Sequence, residues 1–303
     1  ERSTFTCPTT GRILQFEVRV LSFKASLEVE LSSKLPAVVH FPGAKSEKGG
    51  LPNVEKLQAI SQLIAEPLLL ISPLRSKGDG QKWWVLDSDD DEGRHFSSLD
   101  FEKVRFLSTW IAALAQQPGV DASRLSLSGF GAGAYAVTEL LMSDKLPQVH
   151  GAVLGALHGH GSLNEAWAHG DQGRWSKMQA NWAAYLQRLQ NIRALPGGVY
   201  IFHCFEDQVS LLDDAKPIFA EIRDQQERHN FGLTMVQVEP AARQTRKGNN
   251  SNNDYSSKML VSTKTWAGLL SRRSTWNPQR EQAGRPPPQQ HPQRQEEQLQ
   301  QQQ

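Results

Sequence analysis

Cysteine is nearly absent: the 303-residue chain has two, Cys7 and Cys204. Two thiols so far apart form no disulfide framework and no metal-ligand spacing. Free thiols are the expectation, with a bridge between the two left open. An excess of charge is lacking too. The formal net charge is +1, so no global field points to nucleic acid or a membrane surface as the main partner. No apolar run approaches the roughly 20 residues that a membrane-spanning helix needs, so no membrane span is expected. The sequence also opens on Glu1 rather than methionine. That reads as a fragment or a processed product whose targeting segment lies outside what can be read, so no compartment is assigned.

What remains is a chain of ordinary apolar content, 38%, long enough for one large α/β domain with a buried core. Its organising stretch is Leu125 to Tyr135, Leu-Ser-Leu-Ser-Gly-Phe-Gly-Ala-Gly-Ala-Tyr. Alternating apolar residues up to Gly129 read as a buried strand, and the Ala- and Leu-rich run to Met142 reads as a helix. The glycines between them make a very tight strand-to-helix turn. In a Gly-x-Ser-x-Gly nucleophile elbow the middle residue is pushed to the top of the sheet with its hydroxyl exposed. The frame here is Gly129-Phe130-Gly131-Ala132-Gly133, so the nucleophile position is Gly131. Ser126 and Ser128 lie below the turn, within the strand, and are no substitutes.

With this frame, and with Asp121-Ala122-Ser123-Arg124 directly before the strand, the chain resembles the α/β-hydrolase superfamily. The likeness is to the serine esterases grouped as phospholipase/carboxylesterase, polyhydroxybutyrate-depolymerase-like and predicted-peptidase proteins, and it extends from about residue 12 to about residue 272. It implies a mostly parallel central sheet with antiparallel N-terminal edge strands and helices on both faces. It also implies acyl-transfer chemistry by a Ser-His-Asp triad and an oxyanion hole of backbone donors. Those expectations can be tested along the chain.

Ile13 to Leu21 and Ser26 to Leu31 alternate as two antiparallel edge strands. Ala37-Val38-Val39-His40-Phe41 is a buried strand ending in Pro42-Gly43-Ala44. The family has His-Gly-x there, so Gly43 matches and Pro42 does not. By resemblance, the N–H of Ala44 pairs with that of Ala132 in the oxyanion hole; a plain strand end is the other reading. Val54, Leu57, Ile60 and Ile64 recur at helical spacing, and Leu68 to Ile71 is the next strand. In the loop from Ser72 to Ser98, the resemblance puts Trp83 and Trp84 near the mouth of a pocket. The same loop holds Asp87, Asp89, Asp90, Asp91 and Glu92. These lack the glycine turn and distal glutamate of a calcium loop and read as a solvated face, so no metal is expected.

Ser98 and Asp100 introduce a helix with its apolar stripe on Val104, Leu107, Ile111, Leu114 and Ala115. After the elbow, Gly151 to Leu157 is a buried strand followed by His158-Gly159-His160. Strand ends on this side border the ligand crevice of open α/β sheets, so either imidazole is a candidate stand-in base; a solvated pair is the plainer reading. Residues 162–196, with Trp167, Trp175 and Trp182, resemble a helical cap, although tryptophan at such spacing is more often core.

Val199 to Cys204 is the second fixed point. The family's strand here ends in His-Gly-x-x-Asp-x-x-Val, and Asp207 occupies the triad-acid position by that resemblance, with Cys204 in place of the glycine. His203 and Cys204, adjacent on a strand, point to opposite faces and form no dyad. After the strand Leu233 to Val238 a catalytic histidine should follow, yet no histidine occurs from Glu239 to Tyr255. A closing helix carries Leu260, Trp266, Leu269 and Leu270. Beyond Asn277 the chain turns to Pro, Gln and Arg, a composition that cannot bury enough apolar surface to fold.

The resulting division is an extension over 1–11, an α/β-hydrolase-like domain over 12–276 and a disordered tail over 277–303. Of the three triad members only Asp207 remains. The favoured expectation is a non-catalytic pseudo-hydrolase that binds a small ester-like or acyl ligand or acts as a protein scaffold, with no cofactor and no nucleic acid. The competing expectation is an esterase or thioesterase with a displaced base, His158 or His160.

Overall fold

The structure, a computed structural model, describes residues 1–21, 34–43, 67–76, 82–84, 86, 101–157, 182–204, 212–226 and 230–236. Eight strands form one sheet: β1 (Arg2–Thr6), β2 (Ile13–Leu21), β3 (Leu35–Phe41), β4 (Leu68–Pro73), β5 (Val120–Phe130), β6 (Gly151–Gly155), β7 (Gly198–Cys204) and β8 (Phe231–Val236). Their spatial order is β1-β2-β4-β3-β5-β6-β7-β8. β1 and β2 pair antiparallel, β2 runs antiparallel to β4, and every remaining pairing is parallel. The outermost strand on this side is β1, from residues that the sequence assigns to an extension. The expected strand Ser26–Leu31 lies outside the described residues.

β3 and β5 are buried along most of their length, on both faces, so they read as apolar runs rather than alternations. The register between them shifts between Leu35 and Ala37. Pro36 sits at that point and has no N–H to give the ladder. One sheet face presents Val39, Phe41, Leu127, Leu154, Val199 and Ile201 to a single apolar core. Among the described residues, four helical segments accompany the sheet: α1 (Phe101–Ala115), α2 (Ala132–Leu141), α3 (residues 182–189) and α4 (Leu212–Asp224). α1 adds Leu107, Trp110, Ile111 and Leu114 to that core, and α4 adds Ala215, Ile218, Phe219 and Ile222. Each set recurs every three or four residues, so a single helix face is apolar. Burying each large aliphatic side chain stabilises the fold by about 1.5–3 kcal/mol.

α2 is buried from Gly133 to Leu141, Glu139 included. A carboxylate at that depth requires a partner, and Arg188 on α3 supplies one at 2.6 Å. The end of α2 is held by Arg193, whose guanidinium donates to the carbonyls of Leu146 at 2.8 Å and Ser143 at 2.6 Å. Hydrogen bonds from a charged donor are worth about 1.5–3 kcal/mol. Arg193→Ala should therefore lower the unfolding free energy by about 2 kcal/mol, read as a lower urea midpoint. Arg193→Lys should recover only part of the loss, because an ammonium lacks the planar fork that reaches two carbonyls at once.

Candidate functional site

The site is built where β5 turns into α2. Gly131 is the N-cap of α2 with φ 55° and ψ −119°, a backbone state that glycine adopts without a side-chain penalty. Its N–H donates to the Gly155 carbonyl at 2.9 Å, and its own carbonyl accepts from Tyr135 at 3.0 Å. The turn is therefore tied both to the adjacent strand β6 and to its own helix. The flanking glycines are steric requirements. A Cβ on Gly133 would run into the Phe41 carbonyl and lie 2.7 Å from the Pro42 oxygen. A Cβ on Gly129 would meet the Gly133 carbonyl and lie 2.5 Å from the Ala134 nitrogen. Strand and helix thus touch backbone to backbone, the geometry that a nucleophile elbow needs.

Ala132 opens α2, so its N–H belongs to the first turn, which has no intrahelical acceptor and carries the positive end of the helix dipole. The end of β3 approaches from the other side: a Cβ on Gly43 would sit 3.5 Å from the Phe130 carbonyl oxygen. Ala44, the expected second donor, lies outside the described residues, as do Asp207, His158 and His160.

Trp83 and Trp84 are buried in the apolar core that α1 also lines, at 4% and 0% exposure. The Trp83 ring lies 4.4 Å from Phe106, and the Arg12 guanidinium stands over it at 5.7 Å. Among the described residues, the Nε1 atoms of both indoles have no hydrogen-bond partner. Cys7 is a buried free thiol. His203 is fully buried, with its ring edge-on to Phe219 at 5.3 Å. Asp121 lies near the start of β5, where burial pushes its carboxyl up. Hydrogen bonds from Ser123 and Arg124, with the Arg124 charge, more than reverse this and hold it below its usual range.

One pairing has no counterpart in the sequence reading. His40 and Ser128 occupy matched positions on β3 and β5, with Nδ1 and Oγ 3.1 Å apart. Both are buried, and burial lowers the His40 imidazole to about 4. The only local signal is a histidine inside an otherwise apolar strand. Ala156, just past β6, is the one described non-glycine residue with positive φ, 49°. It shares a positive φ with Gly131, at the same end of the sheet.

Among the described residues no group of three or more His, Cys, Asp or Glu side chains is placed to hold a metal ion. No described helix is long and apolar enough to cross a membrane.

Comparison with solved structures decides the fold. A thermostable esterase superposes with a TM-score of 0.57 at 14% identity, over 89% of this chain and 62% of that one. Puromycin hydrolase gives 0.58 at 14% identity, over 89% of this chain and 39% of that one. The chain has the α/β-hydrolase fold. A third such neighbour is the acylaminoacyl peptidase of Pyrococcus horikoshii, at 0.56 and 15% identity over 92% of this chain and 43% of that one. This α/β-hydrolase domain therefore spans less than two thirds of the length of each of these three proteins. No family model matches the sequence, and no curated protein matches it.

In an α/β-hydrolase elbow, a residue with a side chain in Gly131's conformation carries about 1–3 kcal/mol of strain. Gly131→Ser should accordingly lower the urea-unfolding free energy by about 1–3 kcal/mol, with the fold retained. An unchanged or higher stability would mean that the turn is not held at this φ.

Proposed function

We propose that this α/β-hydrolase domain is a pseudo-hydrolase, which keeps the elbow and its crevice for binding a small ester-like or acyl ligand or for docking a protein, without triad chemistry. The observation that carries this reading is Gly131, which stands at the nucleophile position of an otherwise formed elbow and has no hydroxyl to attack with. A second loss supports it: no histidine occurs from Glu239 to Tyr255, where the family has its base. Acyl transfer through this fold needs a nucleophile, an imidazole to take and return its proton, and a carboxylate behind the imidazole. Asp207 alone fills one of those positions by resemblance. The two losses are independent, and the first relieves strain at the turn.

A second reading is favoured by the bond from the Gly131 N–H to the Gly155 carbonyl. This bond ties the elbow to the strand that leads three residues later to His158. In that reading His158 or His160 takes a proton from water, the hydroxide adds to the ester carbonyl, and the imidazolium returns the proton to the departing alkoxide, with Asp207 assisting.

Hydrolysis of short p-nitrophenyl esters separates the two, with a fluorophosphonate label as a second readout. The parent protein is expected to show no turnover above buffer and no label. Turnover that Asp207→Ala or loss of either imidazole abolishes would overturn the pseudo-hydrolase reading in favour of the displaced base.

A further inference from the structure

We draw no further inference here: the strongest candidate, the buried cluster of His40, Ser128 and Ser126 on the sheet face opposite the main core, where the Ser126 hydroxyl has no partner among the described residues, carries nothing because no described residue shows what covers that face.

Discussion

Gly133→Ala is expected to cost at least about 3 kcal/mol of stability and to fold poorly, while Gly119→Ala is expected to behave like the parent. Two effects of opposite sign compete at Gly133. Helix propensity favours alanine over glycine by about 1 kcal/mol, and Gly133 lies in the first turn of α2. Steric overlap opposes it, because the new Cβ would strike the Phe41 carbonyl and crowd that of Pro42. Those are backbone atoms of a central strand and cannot swing aside as a flexible side chain would. Overpacking a core costs about 1–3 kcal/mol, and more when backbone must move, so sterics win. Gly119 is the control, since a Cβ there meets nothing within 4 Å. Urea unfolding followed by circular dichroism reads both variants. If Gly133→Ala matched Gly119→Ala, the close contact of β3 with α2 would be refuted.

Acid is the second large lever. His40 is buried and hydrogen-bonded to Ser128, and burial lowers its imidazole from 6.5 to about 4. An unfolded chain takes up the proton near 6.5, whereas the folded one resists until about 4. Between those values the unfolded state binds more protons, so stability falls as pH falls. The contribution is fully present above pH 6.5 and is lost progressively down to about pH 4, for a total of about 3 kcal/mol. Asp121 acts in the same direction but at lower pH. Its carboxyl is held below the ordinary 3.8, so its contribution disappears only beneath the window of His40. Urea midpoints at pH 7.5, 5.5 and 4.5 should therefore drop steeply in the parent. His40→Asn, which removes the titrating imidazole, should show a flatter slope over the same range. Equal slopes would mean that His40 is not buried as a neutral imidazole.

The elbow was legible because its glycines answer a local steric demand: a strand that turns within two residues into a helix needs Gly129 and Gly133 wherever it occurs. β2 and β3 were legible for similar reasons, one from alternation and the other from an unbroken apolar run. β1 was not, because Arg2-Ser3-Thr4-Phe5-Thr6 has one large apolar side chain and becomes a strand by pairing with β2. The His40–Ser128 contact was also invisible. It depends on a register between residues 88 apart in sequence, and nothing local to either residue encodes that. The depth of Trp83 and Trp84 was missed for a related reason. A tryptophan pair in a polar loop carries no mark of direction, and its burial follows from joining the core that α1 also lines. Of the site itself, Gly131 caps α2 and Ala132 opens it; Ala44, Asp207, His158 and His160 lie outside the described residues.

The strand order has a consequence for how the chain reaches this state. β3 lies between β4 and β5, so its two neighbours are residues 68–73 and 120–130. During synthesis β1 and β2 can pair as soon as both exist, but β3 waits for β5, with one hydrogen-bonding edge open for some eighty residues of elongation. Long-range parallel pairing is slow because loop closure precedes its reward, and an open apolar edge is prone to pairing with the wrong chain. The domain therefore cannot be divided between α1 and β5. Any fragment ending before residue 130 leaves the central strand half-paired, and recombinant boundaries belong beyond that point.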